Sequence, residues 1–145
     1  MTNKAQGSGG RDVKAITIKQ PFATLIAEGY KEYEFRTWKT DYQGEIYIHA
    51  GKSVDREAMK KFAHLGLDCP TGCVLAKALL TDCVEVDEGL KETLRKKNFL
   101  VYSGTTEARD WHCYGFHLEN VTKLPPTPAR GMLGLWEWTP EAEIG

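Results

Sequence analysis

Lys31, Glu34 and Arg36 fall within six residues of one another, directly after Gly29, a residue suited to ending a helix. An amine, a carboxylate and a guanidinium at this spacing form either a polar site or a structural ion pair. If Lys31 is partly buried its pKa drops, and Glu34 beside it can relay a proton, as general acid–base chemistry requires. The structural alternative is that Glu34 and Arg36, two apart on one strand face, simply pair, for about 1 kcal/mol or less if exposed. Lys19, Gln20 and Lys52 sit at the ends of neighbouring strands and suit phosphate or base-edge contacts, lysine as a point charge and glutamine as donor and acceptor; the plainer reading is solvated strand ends. Trp38 shares a face with Glu34 and Arg36 and offers a ring for an unstacked base, with Tyr42 and Trp111 as further candidates, although aromatic rings equally suit a core. His49, placed outward on its strand near Lys52, is a general base or a hydrogen-bonded structural histidine.

The elements that must hold these residues follow from periodicity. Residues 13–19 alternate as a half-buried strand, and Pro21, Phe22, Leu25, Ile26 and Gly29 then read as a short one-sided helix. Residues 32–38 predict a strand, 41–44 a turn and 45–50 a return strand, so that the two strands make a hairpin with Ile46, Ile48 and Ala50 inward. Ser53 is the expected cap of a second helix with Ala58, Phe62 and Leu65 buried and Gly66 at its end. Residues 72–86 read as a central strand with Lys77 unaccounted for in its middle, either snorkelling to an edge or reaching the site. Asp87 can cap a basic helix over 88–97, whose Lys91, Arg95, Lys96 and Lys97 make a solvated face. Strands are expected over 99–102, 111–121 and 132–138, with a proline-rich loop at 125–128.

The chain has 145 residues, enough for one domain, with 19 Lys and Arg against 20 Asp and Glu, a net charge of -1. That balance excludes the strongly basic field of a sequence-blind nucleic-acid binder, so any such contact must be local. Residues 1–12 are expected to be a flexible arm with no signal or membrane-spanning run, residues 13–139 the domain and 140–145 a tail, in a cytoplasmic protein of undetermined oligomeric state. Cys69, Cys73, Cys83 and Cys113 lack disulfide-framework or CxxC spacing and read as reduced thiols. A Cys69, Cys73, His64 and His112 site for zinc is conceivable but has the wrong spacing, and neither metal nor cofactor is expected. No GxGxxG, P-loop, HExxH or GxSxG occurs. Several strands with helices inserted irregularly between them predict an α+β chain built on a curved mixed sheet or barrel.

Three blocks in order, Gln20-Pro21-Phe22 with Gly29, Lys31, Glu34, Arg36, Trp38, Gly44, His49 and Lys52; Gly72 to Leu75 with Asp82-Cys83; and Gly131 to Trp136, strongly resemble the ASCH family. The resemblance spans nearly all of 13–138 and implies a PUA-like mixed β-barrel with short helices around it. It further implies a cleft beside the first helix lined by Lys19, Lys31, Glu34, Arg36 and Lys52, with RNA or a nucleoside or nucleotide as partner. Some small ASCH proteins share GxK with a following Arg and are amidohydrolases removing the acyl group from N4-acetylcytidine; there the matching Lys activates a Thr and a Glu assists. This chain carries Glu34 in place of that Thr, and a carboxylate is no hydroxyl nucleophile; Glu92 and Glu107 are both candidates for the assisting Glu. Other members are ribonucleases or nucleic-acid binders. The expected site is therefore Lys31 and Glu34 for chemistry, with Lys19, Gln20, Arg36, Trp38, His49 and Lys52 on the ligand.

Overall fold

Alternation along the first strand sends Ile16 and Ile18 to one side and Ala15 to the other, and all three are buried because the strand lies inside a sheet covered on both faces. The computed structural model describes residues 13–103 and 113–140. Six strands, β1 (Val13–Gln20), β2 (Tyr33–Arg36), β3 (Gly44–Val54), β4 (Cys73–Glu85), β5 (Tyr114–Pro128) and β6 (Leu135–Trp138), are interleaved with α1 (Phe22–Ala27), α2 (Arg56–Lys61), α3 (Glu88–Lys97) and α4 (Phe99–Tyr102). They form one mixed sheet in the order β2-β5-β4-β3-β1-β6. The β1–β3 pair is parallel and the other four pairs are antiparallel.

One face of the sheet carries the main core around Ile16, Ile18, Ile46, Ile48, Leu80 and Phe116. Beside it, Leu25 of α1, Phe62, Leu94 of α3, and Val101 and Tyr102 of α4 pack into a helical cluster. Ala15, Tyr47, Val74 and Trp136 cover the opposite face. Asp87 caps α3 as its position predicts, accepting from the Leu90 amide at 2.8 Å. Gly29, at φ +88°, follows the end of α1 in the left-handed conformation. No helix among the described residues is long and apolar enough to cross a membrane.

The α+β character holds, but the barrel does not: among the described residues the sheet is open, with β2 and β6 at its two edges and unpaired with each other. The expected hairpin is also corrected, since β2 pairs with β5 and stands three places from β3. Tyr33 and Phe35 draw β2 to that edge by packing on the helical cluster, whereas Trp38 and Tyr42 beyond it turn into the main core. Residues 99–102 are a helix rather than a strand, because the Asn98 side chain caps the Val101 amide and so short an apolar run has no diagnostic period. Residues 125–128 are not a loop but the end of β5. Beyond Leu118, whose amide donates to the Glu32 carbonyl, that strand pairs only with β4 among the described residues, so its prolines remove no ladder bond from a second neighbour, and the register slips between Val74 and Ala76 beside them. Because β3 runs on through Val54, α2 is capped by Asp55 and not by Ser53. The last strand begins at Leu135, later than expected, and Trp111 lies outside the described residues.

Candidate functional site

Parallel pairing brings the C-terminal ends of β1 and β3 side by side, with Gln20 opposite Val54. Lys19 and Lys52 thereby reach the same edge of the sheet, at the mouth of a cleft of about 860 Å3. The opposite wall comes from the turn after α1. There the Tyr30 and Lys31 amides both donate to the Leu25 carbonyl, at 2.8 and 3.1 Å, so the chain doubles back and the Lys31 side chain enters beneath the helix end.

Lys31 is 3% exposed. Its amine donates to the Tyr33 carbonyl, lies 3.8 Å from Glu34 Oε1 and sits 4.5 Å from the Phe35 ring centroid, with the Phe22 and Tyr102 rings farther off. Burial lowers its pKa below the ordinary lysine value; Glu34 opposes that shift and Arg36 adds to it. The other oxygen of Glu34 accepts from Arg36 Nε at 3.1 Å, and Arg36 Nη2 donates to the Thr17 carbonyl at 2.5 Å. Arg36 thus ties β2 to β1 through the floor of the cleft. Five cations, Lys19, Lys31, Arg36, Lys52 and Lys61, line it against three carboxylates, Glu34, Asp55 and Glu57. Lys19 and Lys52 are exposed and, like Lys39 and Lys60 off the cleft, have no carboxylate partner among the described residues, whereas Lys14, Lys77, Lys96, Lys97 and Lys123 are each ion-paired. Positive charge is left uncompensated at the cleft mouth.

Lys19, Lys31, Glu34, Arg36 and Lys52 therefore meet in one cleft; Gln20, Trp38 and His49 do not line it. Gln20 is fully buried and locks α1 in place, receiving the Thr24 amide at 2.9 Å and donating to Thr24 Oγ1 and the Pro70 carbonyl, both at 2.7 Å. Trp38 lies edge-on to Phe116 with ring centroids 5.2 Å apart. His49 lies on the face opposite Ile48 and Ala50, as alternation predicts, but that face is covered and the ring is only 2% exposed. Its Nε2 lies 2.7 Å from the Ala129 carbonyl, which can only accept, so Nε2 carries the proton and Nδ1 accepts from Thr17 Oγ1 at 3.2 Å. Thr17 Oγ1 in turn accepts from Trp136 Nε1 at 3.1 Å, completing a satisfied buried chain.

Sequence reasoning missed Lys61, Ser103, Met132 and Leu133, all on the cleft. Lys61 was detectable, since it lies one helical turn from Ala58 on the face that α2 turns inward; it donates to the Ser103 carbonyl at 2.7 Å. Lys77 snorkels to Glu45 at 3.6 Å, away from the cleft. Lys91 is buried rather than solvated, unlike Lys96 and Lys97. Glu92 pairs with Lys96 off the cleft, and Glu107 lies outside the described residues. Among the described residues no group of three or more His, Cys, Asp and Glu gathers to hold a metal; His112 is outside them.

The family model for the ASCH domain matches residues 16–125. Activating signal cointegrator 1 from Homo sapiens is 31% identical over 81 residues, and its Mus musculus counterpart 30%; each alignment covers 48% of this chain and 14% of the relative, so the chain spans only a small part of those proteins. Among solved structures, the ASCH protein of Zymomonas mobilis superposes with a TM-score of 0.59 at 17% identity, over 90% of both chains. Its Y47F mutant gives 0.53 at 19% identity, over 79% of this chain and 74% of that one. At such identities the likeness is one of fold.

Proposed function

The chain belongs to the ASCH domain family, and from that premise we propose that it binds a nucleotide or modified base carried in RNA, in the cleft lined by Lys19, Lys31, Glu34, Arg36 and Lys52. The observation that carries this reading is the joint presence of buried Lys31 and Glu34, joined by half-buried Arg36, on the cleft floor and unpaired Lys19 and Lys52 at its mouth, in a chain whose net charge is -1. The floor offers fixed donors and an acceptor to the polar edge of a base, and the mouth offers point charges to phosphate. Local rather than global basicity suits a recognition pocket that selects one nucleotide. Titration of a labelled single-stranded RNA by fluorescence anisotropy tests it: binding that weakens with salt and is lost in folded Lys31→Ala supports the reading, and equal binding by that variant sinks it.

A second reading draws on the lowered pKa of Lys31: hydrolysis of an N4-acylated cytosine nucleoside. Burial favours the neutral form of Lys31, and in that form its amine takes a proton from water held against Glu34. The resulting hydroxide adds to the acyl carbonyl carbon, and the C–N4 bond breaks as Lys31 passes its proton to N4, releasing cytidine and the carboxylic acid, which then gives up its own proton to solvent. Chromatography of N4-acetylcytidine with wild type and Lys31→Ala decides it, since absence of product at high protein concentration removes this substrate. A ribonuclease using His49 as base has no such support, because both ring nitrogens are engaged and the ring does not line the cleft.

A further inference from the structure

The loop 129–134 between β5 and β6 carries Leu133, exposed over 97% of its surface, and Met132, over 62%. The loop is clamped at both ends. The Ala129 amide donates to the Gly72 carbonyl at 3.1 Å and its carbonyl receives His49 Nε2 at 2.7 Å. Gly131 lies so close to the sheet that a Cβ there would come within 2.7 Å of Thr17 Oγ1 and 2.8 Å of His49 Cε1. Gly134, at φ +67°, turns the chain into β6, where Trp136 bonds Thr17. The His49–Thr17–Trp136 chain thus holds up a fixed apolar tip, and Met132 and Leu133 line the same cleft as Lys19, Lys31 and Lys52.

We infer that Met132 and Leu133 form an apolar lip that wedges against the base next to the one in the cleft, so that the ligand is a nucleotide unstacked from a single RNA strand and not a free nucleoside. This rests on the reading of the cleft as a nucleotide site. Leu and Met are among the side chains that separate stacked bases, and a wedge acts best when it is held rigid before binding. The charge around the lip matches a strand: Lys19 and Lys52 line the same cleft and exposed Arg130 is two residues from Met132, none with a carboxylate partner among the described residues. Two adjacent side chains make too small an apolar patch for a stable protein interface, whereas a single base edge or face is of their size.

The test uses the whole chain and a single-stranded RNA of about ten nucleotides carrying 2-aminopurine, which brightens on unstacking. Wild type should bind and brighten the probe. Leu133→Ser and Met132→Ser should each bind about tenfold more weakly and suppress the brightening, with unchanged melting temperatures because both side chains stand in solvent. If both variants bind as tightly as wild type, or wild type binds without brightening, the wedge is overturned while Lys31-dependent binding leaves the cleft reading intact. Wild type that binds no RNA overturns both. Self-association in sedimentation that is lost in Leu133→Ser assigns the lip to a second copy of the chain and likewise overturns the wedge.

Discussion

The Lys31 amine lies 3.8 Å from the Glu34 carboxylate with only 3% of its side chain in contact with solvent. The relationship is unequal. Glu34 has a second, closer partner in Arg36 at 3.1 Å, whereas Lys31 is otherwise surrounded by a backbone carbonyl and aromatic faces. A buried group so placed is available to a ligand or a proton without first shedding a shell of water.

Burial of Lys31 makes stability depend on pH. With its folded pKa below the ordinary lysine value of 10.5, Lys31 binds its proton more readily unfolded. Its contribution to stability is therefore present above that value and lost as pH falls through the folded one. Tyr102, pushed up to about 12 mainly by burial, acts in the opposite sense, losing stability as pH rises from 10.0 towards that value, and the raised thiols of Cys69 and Cys73 pull the same way. Comparison with Lys31→Met cancels those terms. As pH rises towards the ordinary lysine value of 10.5 the wild type should gain stability relative to Lys31→Met; parallel urea-midpoint curves for the two proteins below that value would refute the assignment.

Lys19 and Lys52 should set the salt response. If each meets a phosphate, replacing either by Ala lowers the slope of log K against log salt by about 0.7 for single-stranded RNA. An unchanged slope in the double variant would place the phosphates elsewhere.

His49→Ala should destabilise the chain by about 2–3 kcal/mol, since it opens a cavity and strands the Thr17 hydroxyl and Ala129 carbonyl. Denaturant unfolding measures this. RNA affinity should fall as well, through the loosened 129–134 loop, although His49 does not line the cleft; full affinity in a destabilised variant would show that the loop needs no such support.

Trp38→Ala should cost about 2–3 kcal/mol through lost packing on Phe116. Binding by the folded fraction should be unaffected, because the indole is turned into the core. A large affinity loss at equal folded fraction would return Trp38 to the ligand.

Local signals were legible in the sequence by itself. Alternation marked β1, glycine at the end of α1 and aspartate before α3 marked their boundaries, and the spacing of Lys31, Glu34 and Arg36 marked the centre of the cleft. Each depends on neighbours a few residues away, which is the range over which periodicity and capping act. Tertiary structure decided the rest. The parallel β1–β3 pair brought Lys19 to Lys52, packing on the helical cluster carried β2 to the far edge, and a loop about eighty residues downstream covered His49 and turned an apparent surface base into a buried support. Those outcomes depend on which strands pair and what covers them, contacts between residues far apart in the chain, and no local pattern of residue types encodes them.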